Sequence, residues 1–154
     1  MKTRAVRDRI HSLEIPLHGL SLLLPSAAVA EVTNPPDRLC PVPSAPAWLL
    51  GVFGWRQQPV PVVSFEVLLG QPPKPATAGS RIVVLYPVRG PRDNEFFGLL
   101  SMAEPRPQPI TEGAVEAEDS DKLPDTPFVA AGIKLKERVL LIPDFDALRR
   151  AFYP

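Results

Sequence analysis

The stretch Gly51-Val-Phe-Gly-Trp-Arg-Gln-Gln-Pro-Val-Pro-Val-Val-Ser-Phe-Glu-Val-Leu-Leu-Gly70 decides the fold of this chain. It contains two runs rich in valine and aromatic residues, separated by a short polar link and closed by a glycine at each end. This pattern predicts a β-hairpin. Side chains alternate along a strand, so Phe53 and Trp55 should lie on one face. Arg56 falls in the link, and the hairpin should therefore present one charged side chain from a stiff apolar support.

Two prolines, Pro59 and Pro61, interrupt the second run of this hairpin. Proline has no backbone N–H to donate to a neighbouring strand. At least one of the two must therefore lie at a sheet edge or a bulge. That edge is a candidate docking surface.

The composition limits the class of protein. The chain has 154 residues, enough for one domain with a sizeable core. Its 17 basic and 17 acidic residues cancel, which argues against nucleic acid or an anionic membrane as a partner. The 21 prolines and 9 glycines favour many short strands over long helices. Cys40 is the single cysteine, so no disulfide framework can form within the chain, and a reducing, cytoplasmic location is expected.

The N-terminal region resembles a secretory signal. Basic residues precede the apolar run 20–24, and Ala28-Val29-Ala30 imitates a cleavage site. Polar and helix-breaking residues interrupt the apolar centre that a signal needs: Asp8, Glu14, Pro16 and His18. We interpret the region as the first strands of a cytoplasmic domain, with an exported all-β binding protein as the alternative. No stretch approaches the roughly 20 apolar residues that would cross a bilayer.

The remaining pattern predicts short strands throughout the chain. Residues 1–12 are expected to form a tail. The predicted strands are Gly19–Leu24, Val29–Thr33, Val52–Trp55, Val60–Phe65, Arg81–Tyr86, Phe96–Met102, Phe128–Ile133 and Arg138–Ile142. The first two should form a tight hairpin through Pro25-Ser26-Ala27.

Two helices and two irregular segments complete the prediction. Ser44 should cap a short helix that ends at Gly51, and Asp144 should cap a C-terminal helix with Leu148 and Phe152 on its apolar stripe. The proline-rich residues 71–79 are expected to connect two lobes. Residues 105–127 carry an acidic run and are expected to form a mobile loop.

The sequence contains no pattern typical of an enzyme or a metal site. His11 and His18 lie seven residues apart with no third ligand nearby, and Cys40 has no histidine close in sequence. The serines lack the Gly-x-Ser-x-Gly context of a hydrolase nucleophile. We therefore predict no catalytic residues, no metal site and no cofactor.

The hairpin motif resembles the CheW-like coupling proteins. The matching positions are Gly51, Trp55, Arg56, Pro61, Val62, Val63, Leu69 and Gly70. Two positions depart from the motif: Gln57 replaces the usual Gly, and Ser64 replaces the usual Asp or Asn. The Val-x-Glu-Val run at 29–32 and the Leu-Leu-Ile-Pro-Asp-Phe-Asp-Ala-Leu close at 140–148 extend the likeness over about residues 13–150.

This resemblance implies a fold and a function. The fold would be all-β, with two small five-stranded β-barrel lobes around a shared core and short helices, in a single domain over residues 13–154. The function would be that of a non-catalytic cytoplasmic adaptor, whose partners are a CheA-type histidine kinase and a methyl-accepting chemoreceptor. The short, proline-rich chain and the two departures from the motif look more like the pilus-motility branch than the flagellar one.

The resemblance also implies a partner-binding site. Glu31 and Arg56 would face one another at the surface, flanked by Val29, Gly51 and Phe97. The aromatic residues Trp48, Phe53 and Trp55 are further candidates, because interfaces are enriched in aromatic side chains. An exposed ion pair alone contributes only about 0–1 kcal/mol. Within an apolar patch, in contrast, desolvation on docking makes such a pair selective for partners with matching charges.

A small β-barrel that binds oligonucleotides is a second alternative. Such a protein needs a basic groove interleaved with aromatic side chains. The basic residues here cluster before the first strand, whereas Phe53, Trp55, Phe96 and Phe97 have few basic neighbours in sequence.

Overall fold

The structure is a computed structural model that describes residues 9–90, 94–111 and 115–153. Thirteen strands and two short helices occur in the described residues. The strands are β1 (Arg9–Ile10), β2 (Ser12–Pro16), β3 (Ser21–Pro25), β4 (Val29–Thr33), β5 (Leu49–Trp55), β6 (Gln58–Val63), β7 (Arg81–Leu85), β8 (Phe97–Ser101), β9 (Arg106–Pro107), β10 (Ile110–Thr111), β11 (Glu116–Ala117), β12 (Val129–Leu135) and β13 (Arg138–Pro143). The helices are α1 (Phe65–Leu68) and α2 (Phe145–Phe152).

The strands form two main sheets, which we call the first and second lobes. The first lobe has six strands in the order β11-β12-β13-β3-β2-β9, and the second has five in the order β4-β7-β8-β6-β5. Strands β1 and β10 form a separate pair. The prediction of two β lobes is confirmed. Within the described residues, however, backbone pairing closes neither sheet into a barrel, and the first lobe has six strands instead of five.

The chain enters the first lobe, builds the whole second lobe and then returns. Strands β2 and β3 start the first lobe, and β9 and β11–β13 complete it after β4–β8 have formed the second. The predicted hairpin between β3 and β4 is therefore wrong. Strand β3 pairs with β2 on one side and β13 on the other, which leaves no free edge for β4. A 3-10 turn over Ser26–Ala28 carries the chain to the second lobe instead.

The two lobes share one hydrophobic core. Alternate residues of β7 face opposite sides: Val83 and Leu85 enter the shared core, whereas Ile82 and Val84 fill the interior of the second lobe. Both faces of β7 and β8 are buried, since every residue of β8 and every residue of β7 except Arg81 is buried. The shared core contains Ile15, Leu17, Leu22, Leu24, Val63, Phe65, Val83, Leu85, Phe97, Leu99, Leu141 and Leu148.

Helix α2 follows the first lobe and packs against the second. Asp144 caps it by accepting a hydrogen bond from the Ala147 N–H at 3.0 Å, as predicted. The ring of Phe152 lies 5.4 Å from Trp48 and 5.1 Å from Phe97, between ring centroids. The helix therefore joins the two lobes through aromatic contacts.

Two carboxylates are almost completely buried. Glu66 of α1 accepts a hydrogen bond from the backbone N–H of His18 at 2.9 Å, which ties α1 to the β2–β3 turn of the first lobe. Glu14 of β2 forms ion pairs with Arg106 and Arg138. Both buried charges have partners, and their burial is therefore offset by hydrogen bonds and ion pairs.

The predicted helix between Ser44 and Gly51 is wrong. Prolines 41, 43 and 46 keep the preceding residues away from helical backbone angles. Ser44 lies at a φ of +61° in a turn, so it does not cap a helix. Gly51 belongs to β5.

Three predictions about irregular segments also change. Residues 71–79 contain no strand or helix but connect α1 to β7 within the second lobe, so they do not separate the lobes. The segment 105–127 contributes β9, β10 and β11 to sheet edges. Within the predicted tail, Arg9 and Ile10 form β1, and Ser12 begins β2. The rest of that tail (1–8), part of the acidic run (112–114), positions 91–93 and position 154 lie outside the described residues.

The predicted hairpin is formed by β5 and β6. It pairs Trp55 with Gln58 and Phe53 with Val60. Arg56 and Gln57 form a two-residue turn with φ angles of +47° and +64°. Positive φ at both central residues is typical of a type I′ turn, which matches the twist of the strands.

The two prolines of β6 lie where the strand has a neighbour on one side only. Strand β6 pairs with β8 only through Val62 and Val63. Pro59 and Pro61 pair with β5 alone. The predicted edge position is confirmed.

Gly51 allows a second chain segment to approach β5 closely. Its φ is +149°, and an added Cβ would lie 2.7 Å from Leu39 Cβ and 2.8 Å from the Cys40 carbonyl oxygen. Cys40 forms a β-bridge with Val52, so this contact covers part of the β5 edge.

We expect Gly51→Ala to lower the free energy of unfolding by about 2 kcal/mol, because the new Cβ meets backbone and the φ angle is unfavourable for alanine. Urea denaturation measures this change. Gly54→Ala is the matched control in the same strand, since nothing lies within 4 Å of a Cβ there. Equal stability of both variants would show that residues 39–40 leave enough space for a Cβ at position 51.

We expect Gln57→Gly to raise the free energy of unfolding by about 0.5–1 kcal/mol, because glycine adopts positive φ without strain and thereby outweighs its greater freedom in the unfolded chain. Thermal denaturation should show a melting temperature higher by about 2–4 °C per kcal/mol. Gln57→Ala removes the same side chain but keeps Cβ, and it should give no gain. A gain of equal size in both variants would contradict this explanation.

Candidate partner-binding surface

The two edge strands of the second lobe meet through side chains. Strands β4 and β5 lie at opposite ends of the strand order, yet Glu31 of β4 contacts the end of β5. Glu31 Oε1 accepts hydrogen bonds from Trp55 Nε1 at 3.1 Å and from Arg56 Nη2 at 3.1 Å. The sheet is therefore curled. Side chains link its two edges at a point where no backbone hydrogen bonds pair β4 with β5.

The predicted pair of Glu31 and Arg56 is formed. The Arg56 side chain is 61% exposed and that of Glu31 is 40% exposed. The Arg56 guanidinium also lies 4.4 Å from the centroid of the Trp55 ring, within the range of a cation–π contact. The turn places Arg56 over the indole and beside the carboxylate at once.

Aromatic residues support this pair from below and beside it. The rings of Trp55 and Phe96 are 5.0 Å apart, and those of Phe96 and Tyr86 are 6.3 Å apart. Trp55 is only 6% exposed, whereas Tyr86 is 47% exposed. A continuous row of aromatic rings thus runs from the buried Trp55 ring beneath Arg56 to the exposed ring of Tyr86. We call Glu31, Trp55, Arg56, Phe96 and Tyr86 the pair surface.

The sequence interpretation did not include Tyr86 or Phe96 among the site residues. Tyr86 follows the last residue of β7, one position after Leu85, which pairs with Val29. A large aromatic residue at the end of a buried strand and before a proline is the signal that could have indicated its exposure. Phe96 lies beside the pair, where the prediction had placed Phe97.

The prediction for Phe97 as a partner contact is wrong. Phe97 is completely buried in the shared core, because side chains alternate along β8. Phe96 faces the second lobe and contacts Trp55 instead. No partner can reach Phe97 unless the two lobes separate.

The remaining predicted residues are partly or fully buried. Val29 is half-buried and packs against the shared core. Gly51 is buried, and the close approach of Leu39 and Cys40 accounts for the glycine. Trp48 is half-buried and packs edge-on against Phe152. Val29, Trp48 and Phe53 each keep part of their surface exposed, whereas Gly51 is buried.

Ser64 keeps the local role of the residue that it replaces. Its hydroxyl accepts a hydrogen bond from the Val67 N–H at 3.3 Å and caps α1. Serine, aspartate and asparagine are all favourable N-caps. This departure from the motif therefore leaves the start of α1 unchanged.

Neither a metal centre nor a membrane-spanning helix is found in the part of the chain that the structure describes. Across residues 9–90, 94–111 and 115–153, no three histidine, cysteine or acidic side chains are grouped so that they could bind a metal ion. The helices in these ranges are too short and too polar to span a bilayer.

Comparison with known proteins agrees with this arrangement. A family model described as the CheW-like domain matches residues 12–152. Among solved structures, the fold is similar to the crystal structure of the scaffolding protein TtCheW from Thermoanaerobacter tengcongensis, with a TM-score of 0.73 and 21% sequence identity. That match covers 88% of this chain and 84% of TtCheW. No curated protein sequence matches. Because the family model spans nearly all of the described fold, this chain belongs to the CheW-like domain family.

Proposed function

We propose that this protein is a non-catalytic cytoplasmic adaptor that couples a chemoreceptor to a CheA-type histidine kinase. Membership of the CheW-like family supports this function. The observation that carries the proposed binding site is the exposed pair of Glu31 and Arg56 on a rigid aromatic base. Such a base limits the side-chain freedom that is lost on docking.

The pair can select partners by charge. A partner that covers it removes water from both side chains, so it must supply a hydrogen-bond donor to Glu31 and an acceptor to Arg56. A partner without these groups would leave buried charges unpaired. Tyr86 adds an exposed aromatic side chain beside the pair, of the type that dominates binding energy in interfaces.

The two lobes give the adaptor two separate docking faces. We assign one lobe to the regulatory domain of the kinase and the other to the receptor helical hairpin. The shared core, the Glu66–His18 hydrogen bond and helix α2 connect the lobes. Through this connection, a change in receptor packing would alter the position of the bound kinase.

An exported protein is not supported by the position of the N-terminal segment. Cleavage at residues 28–30 would remove β2 and β3, which supply Ile15, Leu22 and Leu24 to the shared core. A segment that contributes these strands cannot be a removable signal. We therefore propose a cytoplasmic location.

An oligonucleotide-binding barrel is not supported by the charge of the pair surface. The Arg56 guanidinium lies over Trp55 of the aromatic row, and it is already paired with Glu31. A carboxylate at this position repels a phosphate backbone, whereas single-strand binding needs a basic groove.

We expect Arg56→Asp to weaken the capture of at least one of the two partners about tenfold or more, because two carboxylates would then occupy the surface. The measurement is a quantitative pull-down with purified CheA-type kinase and with the cytoplasmic fragment of a chemoreceptor from the same organism. Arg150→Asp is the matched control, since Arg150 is 59% exposed and also pairs with a single carboxylate. Normal capture of both partners by Arg56→Asp would exclude this surface.

We assign the protein to a pilus-motility pathway on the basis of its proline content and Gln57. Ser64 does not support this assignment, because it caps α1 as aspartate or asparagine would. Deletion of the gene in the native host should therefore reduce twitching on surfaces and leave swimming unchanged. Complementation with the intact gene is the control. Loss of swimming with normal twitching would assign the protein to a flagellar pathway.

A further inference from the structure

One oxygen of Glu31 receives both hydrogen bonds of the pair surface. Trp55 Nε1 and Arg56 Nη2 both donate to Oε1, each at 3.1 Å. Among the described residues, none donates a hydrogen bond to Oε2, and 40% of the Glu31 side chain is exposed. The carboxylate is thus fixed through one oxygen, and the second remains open to an incoming group.

Trp55 can fix this carboxylate because its indole is buried and packed against Phe96. It is 6% exposed, its backbone pairs with Gln58 in the hairpin, and its ring packs 5.0 Å from Phe96. An indole N–H in such a buried ring needs an acceptor, which Glu31 provides. The direction of that N–H therefore sets the position of the carboxylate.

The face of the same indole orients Arg56. The guanidinium carbon lies 4.4 Å from the ring centroid. A single buried ring thus contacts both members of the pair, one through its edge and one through its face. Long charged side chains on a surface are otherwise free to adopt several rotamers, and docking must then restrict them.

We propose that Trp55 is a positioning residue of the pair surface, an inference that rests on the proposed adaptor function. Its N–H holds Glu31 so that Oε2 meets a hydrogen-bond donor of the partner, and its ring holds Arg56 for an acceptor of the partner. The partner surface that fits is a polar segment with a cationic or N–H donor next to a carboxylate or carbonyl. Trp55 itself stays beneath the pair and makes no contact with the partner.

A double-mutant cycle separates positioning from simple packing. Wild type, Trp55→Phe, Glu31→Ala and the double variant are titrated by calorimetry against the partner that Arg56→Asp fails to capture. Phenylalanine keeps a ring beneath Arg56 but lacks the N–H. We expect Trp55→Phe to weaken binding about tenfold when Glu31 is present, which corresponds to one hydrogen bond to a charged group. In the Glu31→Ala background the same change should weaken binding less than twofold.

The outcomes decide the proposal. An equal loss in both backgrounds would show that Trp55 acts through packing alone, and an unchanged affinity would show that it does not act; either result overturns the positioning role. If Arg56→Asp loses a partner while Trp55→Phe does not, the adaptor surface stands and only the positioning role fails. If Arg56→Asp keeps both partners, the proposed surface itself fails.

A second measurement needs no change at Trp55. The protein has two tryptophans, so its nitrogen-15 spectrum contains two indole N–H signals, and Trp48→Phe identifies which belongs to Trp55. Glu31→Ala should shift the Trp55 signal and speed its exchange with water by about tenfold or more, as expected for a lost hydrogen bond. The Trp48 signal serves as the internal control. An unchanged Trp55 signal would overturn the proposal even if Trp55→Phe failed to fold.

Discussion

The candidate site depends on one carboxylate that joins two strands which do not pair. Glu31 on β4 and Trp55 on β5 belong to opposite edges of the second lobe, and their hydrogen bond spans the gap between these edges. Without it, an open five-stranded sheet would have two free ends at this point. The β5–β6 turn places Arg56 beside the same carboxylate, with its guanidinium over the Trp55 ring. The Glu31 carboxylate therefore links the two edges of the second lobe and also forms the exposed ion pair with Arg56.

Contacts elsewhere in the molecule fix the strand register and the packing of the two lobes. Residues of β7 alternate between the interior of the second lobe and the shared core, so a shift in the register of one strand would disturb both. Glu66 adds a buried hydrogen bond from α1 to the turn at His18. Helix α2 adds the contacts of Phe152 with Trp48 and Phe97. These contacts connect the two lobes and fix their packing against each other.

The sequence predicted features set by local pattern and missed those set by competition between strands. Alternation and turn residues were enough to predict the β5–β6 hairpin, strands β7 and β8, and the cap at Asp144. The β3–β4 hairpin failed because β13, more than a hundred residues away, takes the edge that β4 would need. The pairing of Glu31 with Arg56 followed from the family resemblance, since nothing local relates residues on two different strands. Phe97 was also assigned to the surface from the family resemblance, and this failed because residues alternate along β8: Phe97 faces the shared core, and its neighbour Phe96 faces the second lobe.

The proline-flanked strand β9 has a consequence for the behaviour of many copies in one place. It ends the first lobe next to β2, and prolines 105, 107 and 109 remove every second donor along it. An extended chain cannot extend the sheet there, because Gln108 donates its N–H inward to Ser12 and the alternate positions, which face outward, are prolines without an N–H. This rim of each molecule therefore resists pairing with the sheet of a neighbouring molecule, and contacts there must form between side chains.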